Sequence, residues 1–157
     1  MFDTIAGLPL HPLVVHATEV IVPAAALAVA LAALWPRFRL WARFLPLGLA
    51  LAALVLVPLS TQSGEALEER VKESALIETH AELAEGLLPW VIGLVVVAAL
   101  LVWWYWAERS ASAPRAPRWV AVALMVGALI ASTGTTVQAI RIGHSGATAV
   151  WSQDVAQ

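Results

Sequence analysis

Cysteine is absent from the 157 residues. That removes disulfides, zinc fingers, iron–sulfur ligation and thiol catalysis from the chain, and leaves its redox compartment unmarked. Charge is scarce: Asp, Glu, Lys and Arg make up 13% of the sequence, about half the share of an ordinary soluble domain. The net charge of −2 comes without any basic block, so no nucleic-acid partner is expected. Met1 to Leu10 contains Asp3 but no Lys or Arg. Lacking the positive leader of a cleavable signal peptide, the first apolar run is expected to remain as a helix.

Apolar residues are what is there: 61% of the chain, with a mean hydropathy of +0.81. This excess is too large for a soluble core and implies lipid as the solvent. Four stretches carry no charge, between Glu19 and Arg37 (apolar back to Pro12), Arg43 and Glu65, Glu85 and Glu108, and Arg118 and Arg141. Each has about the 20 residues a helix needs to cross hydrocarbon. The runs are Ala/Leu-rich and do not alternate, which excludes membrane strands. Helices are expected near 12–35, 39–61, 75–107 and 118–142. The fold expected is all-α, a single domain over 1–157 forming a four-helix transmembrane up-down bundle.

Arginine sets the expected orientation. Arg37, Arg39 and Arg43 fall in the first link, and Arg109, Arg115 and Arg118 in the third. The opposite side holds only Arg70, Lys72 and Arg141, among Glu65, Glu68, Glu69, Glu73, Glu78, Glu82 and Glu85. The positive-inside rule then predicts a multi-pass protein of the cytoplasmic membrane with both termini extracytoplasmic. Trp35, Trp41, Trp103, Trp104, Trp106 and Trp119 gather near the cytoplasmic ends, and Trp90 and Trp151 near the outer ends, as interfacial belts do. Between helices two and three Gly64 is expected to break the helix. Ser74 is expected to cap a short extracytoplasmic helical excursion on which His80 faces the bundle and Glu78, Glu82 and Glu85 face away.

All four histidines fall at that outer end: His11 and His16 open the first run, His80 precedes the third and His144 follows the fourth. Imidazole is the usual ligand of haem iron and of zinc or copper. His16 and Glu19 share a helix face, and Pro23 cannot donate to the Glu19 carbonyl, so a kink is expected there. A carboxylate inside a span points to function unless the pair merely satisfies itself. His11, just before Pro12, reads equally as a cap, an interfacial residue or a ligand. His144 is flanked by Gly143 and Ser145-Gly146, a flexible exit from helix four, below which Ser132, Thr133, Thr135, Thr136 and Gln138 make the helix polar.

These residues carry a resemblance. Gly7-Leu8-Pro9 with His11-Pro12 and Val15-His16, then Ser63-Gly64-Glu65, Ile77-Glu78-Thr79-His80 and Gly143-His144-Ser145-Gly146 span nearly the whole chain. It resembles the domain of unknown function 2231 family of bacterial membrane proteins, departing from the family pattern at Ala17 and at Gly146-Ala147. Some relatives look to be fused to Rieske-type or c-type cytochrome domains, so the resemblance implies electron transfer and haem b.

Three readings follow. In the leading one, His16 and His80 on diagonal helices take the two axial positions of a haem b, with a redox protein or quinone as partner; His144 is an alternate ligand or a propionate or quinone contact. In the second, His16, Glu19, His80 and His144 surround zinc or copper in a metal-binding or transport protein. In the third, the chain is a structural membrane subunit without a cofactor.

Overall fold

The computed structural model describes residues 4–5, 8–71, 74–109 and 117–154. Gly7, Lys72, Glu73 and Arg115, used above for resemblance or orientation, lie outside them. Thr4–Ile5 and Leu8–Pro9 pair as a small antiparallel hairpin, Thr4 opposite Pro9 and Ile5 opposite Leu8. The helices are α1 Leu10–Leu34, α2 Pro36–Ala42, α3 Leu45–Glu68, α4 Ala75–Glu85, α5 Leu87–Arg109 and α6 Arg118–Asp154. Four stretches, Leu10–Leu34, Leu45–Glu68, Ala75–Ala107 and Arg118–Trp151, are helical, long and apolar enough to cross a membrane.

The helices run up and down. One end of the bundle, the arginine end, carries α2 with Arg37 and Arg39, and the starts of α3 and α6. The other, the histidine end, carries the starts of α1 and α4 and the ends of α3 and α6. α1 packs against both α3 and α6, α5 packs against the same two helices, and α1 meets α5 across the centre. Small residues let the backbones approach: Ala25, Ala50, Ala53, Ala98 and Ala128 are fully buried, with Val29, Val91 and Leu94 filling the space between them. Large apolar side chains also point outward, among them Val20, Leu27, Val55, Val96 and Ile130. A helix apolar all round needs lipid on its free side, so the outer surface belongs in a bilayer.

Three local features depart from the expectations. α2 forms a separate short helix in the first link, started by Pro36 at the position where a missing N–H costs nothing. α3 does not stop at Gly64 but continues to Glu68. α6 runs through Gly143, His144 and Gly146 to Asp154, so the region read as a flexible exit is helix. An interior glycine costs a helix only about 1 kcal/mol, and at Gly64 and Gly146 a close contact opposes that cost. The break falls instead at Gly86, between α4 and α5. Pro89 has no N–H to give the Glu85 carbonyl, and Gln138 Nε2 donates to the Leu83 carbonyl at 2.6 Å. The Ser74 hydroxyl caps α4, accepting from the Ile77 N–H at 3.3 Å.

Candidate functional site at the histidine end

His11 lies in the first turn of α1 and reaches across to α3. Its Nδ1 is 3.1 Å from the Ser60 carbonyl oxygen and 3.2 Å from Ser63 Oγ. His80, on α4, reaches α6, with Nδ1 3.0 Å from Ser145 Oγ. Both rings are half-buried and lie within electrostatic reach of one another. Each sits on a glycine. A Cβ at Gly64 would stand 3.1 Å from His11 Cε1, and one at Gly146 would stand 3.0 Å from His80 Cε1. A Cβ at either position would push the imidazole back by a few tenths of an ångström, so glycine lets each ring lie closest to the backbone.

At His11 the hydrogen bonds call for the proton on Nδ1. Ser63 Oγ donates to the Ser60 carbonyl at 3.0 Å, so its single hydroxyl hydrogen is already used. The Ser60 carbonyl can only accept. Both neighbours of His11 Nδ1 therefore call for an N–H, and the lone pair belongs to Nε2. Ser145 Oγ lies 2.9 Å from the Ile142 carbonyl oxygen and 3.0 Å from His80 Nδ1; with its hydrogen on the carbonyl, it accepts from an Nδ1–H of His80. Neither Nε2 has a hydrogen-bond partner among the described residues. A histidine that ligates a metal typically has this arrangement: one nitrogen donates to a carbonyl or oxygen while the other is free to bind.

The other candidate residues are elsewhere. His16 is exposed, and its Nδ1 lies 2.5 Å from the Pro12 carbonyl of its own helix. Glu19 is exposed, and no hydrogen bond joins it to His16. His144 is exposed on α6, one position before the serine that holds His80. The structure thus brings His11 and His80 together and leaves His16, Glu19 and His144 outside the pair. Among the described residues, no three of His, Cys, Asp and Glu lie close enough to hold a metal ion. Ser63, Ser145 and the two glycines were not singled out by residue chemistry. The signal was present as a Ser-Gly dipeptide near the end of both the second and the fourth apolar runs.

Away from the pair, a cavity of about 220 Å³ opens at the arginine end among Ala33, Pro36, Arg39, Leu101, Trp104 and Met125. It is separated from the histidines by the length of the bundle. Trp104 is buried beside it, whereas Trp35, Trp41, Trp103, Trp106 and Trp119 are exposed at this end, as an interfacial belt requires.

Comparison with curated proteins and with solved structures finds no match. The family model described as "Predicted membrane protein (DUF2231)" matches residues 7–157. The match takes in both histidines, both serines and all four candidate spans, and on that extent the chain belongs to the DUF2231 family of multi-pass membrane proteins.

Proposed function

We propose that the protein is a membrane electron-transfer component that holds haem b between His11 and His80 near the outer face of the cytoplasmic membrane. The observation that carries this reading is the pair of imidazoles, each with Nδ1 engaged and Nε2 without a protein partner. Two such donors suit a haem, whose macrocycle supplies the other four nitrogens and leaves two axial positions to the protein. A bare zinc or copper ion needs three or four protein donors, and the described residues gather no such group. When bound, the haem would supply one-electron chemistry. The chain's own part is to hold the two rings, deny their Nδ1 atoms to water and keep lipid-facing apolar surface around the site. In this reading His16 and His144, both exposed at this end, meet a partner and not the haem.

Purified protein expressed with ample haem should show a Soret band and, once reduced, the sharp α and β bands of a low-spin b-type centre. Stoichiometric zinc or copper with no Soret band would move the assignment to a metal site, and neither group to a structural subunit.

The outer placement rests on Arg37, Arg39, Arg43, Arg109 and Arg118 at the opposite end. A reporter fused after Arg39 should read cytoplasmic and one at the C-terminus external. A cytoplasmic C-terminus would put the histidine pair on the inner face.

A further inference from the structure

The environments of His11 and His80 share the same serine and glycine contacts. In each, Nδ1 meets a serine hydroxyl, at 3.2 and 3.0 Å. In each, that hydroxyl bonds the carbonyl three residues earlier, at 3.0 and 2.9 Å. In each, the following glycine supports the ring, with Cε1, Nδ1 and Nε2 in the same order of approach: 3.1, 3.4 and 3.8 Å at Gly64, and 3.0, 3.3 and 3.7 Å at Gly146.

The match continues into the core. At the spacing that separates His11 from His80, Thr18, Val22, Ala25, Val29 and Ala32 of α1 fall on Leu87, Val91, Leu94, Ala98 and Leu101 of α5, and all of these are buried. At the spacing that separates Ser63 from Ser145, Pro46, Ala50 and Ala53 of α3 fall on Ala128, Ser132 and Thr135 of α6, again all buried. The packing obeys the same exchange, since α1 against α6 becomes α5 against α3. His16 and His144 stand outside it: their counterparts at those spacings are Glu85 and Gln62.

We infer that the chain is a duplicated helical hairpin whose two His–Ser–Gly units form one two-fold site. Ser145 at His80, and the Ser60 carbonyl together with Ser63 at His11, position the imidazoles, holding each proton on Nδ1 and leaving each Nε2 lone pair to a single bound electrophilic centre. The inference relies on the haem reading only for the identity of that centre.

The two units differ in one respect, and the difference makes the inference testable. His11 Nδ1 has a second acceptor, the Ser60 carbonyl, whereas His80 has Ser145 alone. The measurement is the nitrogen NMR spectrum of ¹⁵N-histidine-labelled full-length protein without haem, in bilayer discs at pH about 8.5, above the ordinary imidazole range. Single His→Gln variants assign the signals. Free imidazole side chains favour the proton on Nε2, so two histidines protonated on Nδ1 would stand apart from His16 and His144.

Ser145→Ala should return His80 to the Nε2-protonated form, Ser145→Thr should retain the parent form, and Ser63→Ala should leave His11 unchanged. If His80 carries its proton on Nε2 in the parent, or if Ser145→Ala does not alter its tautomer, the positioning role is overturned. Should Ser145→Ala fail to fold, the parent and Ser145→Thr spectra still decide. Because no haem is present, these results are independent of the absorption experiment, and either reading can fail alone.

Discussion

Replacing His11 or His80 with Ala should remove most of the bound haem or convert the remainder to a high-spin form, whereas His16→Ala should retain a low-spin spectrum. Losing a group that merely supports a ligand typically lowers metal affinity by about 10–100-fold; losing the ligand itself should exceed that. The two substitutions should act alike, because each imidazole has the same serine and glycine around it. His16, exposed and bonded to its own helix, makes no contact with the pair that its loss would disturb. Haem content by the pyridine haemochrome method, with the visible spectrum beside it, checks all three. Loss in His16→Ala with retention in His11→Ala would restore the ligand set first expected from spacing.

The second large effect concerns the core. Leu94 is fully buried where α5 meets its neighbours, and Ala beside small partners would leave a void. In a bilayer the unfolded reference is lipid, which solvates leucine as well as the protein does, so the transfer part of the usual penalty largely vanishes. The cavity part stays, at about 24 cal/mol per Å³ of void, or about 1–2 kcal/mol for Leu94→Ala. Val96→Ala, two residues along on the lipid-facing side and 52% exposed, should cost about nothing by the same reasoning. Reversible unfolding in mixed micelles measures both. Equal losses would mean that α5 does not bury the face described.

The spans were legible because lipid demands long apolar runs, and no other solvent explains four of them. What spacing did not give were the ends. Gly64 and Gly146 were read as places where helix stops, on the general cost of glycine. Both lie inside helices, each beneath an imidazole from a residue far away in sequence. The site was legible to the level of its end of the bundle and no further. His11 and His16 are five residues apart, about 140° around a helix, so only one can face inward. Glu19 on the same face as His16 drew the expectation to His16, whereas the cross-helix hydrogen bonds are made by His11. The deciding partners of His11, Ser60 and Ser63, are 49 and 52 positions away, beyond the reach of any periodicity argument.

Repeats can share a membrane in two ways, and the choice governs what a bundle is able to do. Inverted repeats place a site at the midplane and let one half rock against the other, so that the site opens to either side in turn. Here both hairpins start at the histidine end and return to it, and their matched His–Ser–Gly units sit at that end alone. Exchanging the halves maps the histidine end onto itself and never onto the arginine end. Such a chain has no second, mirror-related state to visit. On the haem reading proposed above, such a holder would pass electrons to a partner docked at the histidine end.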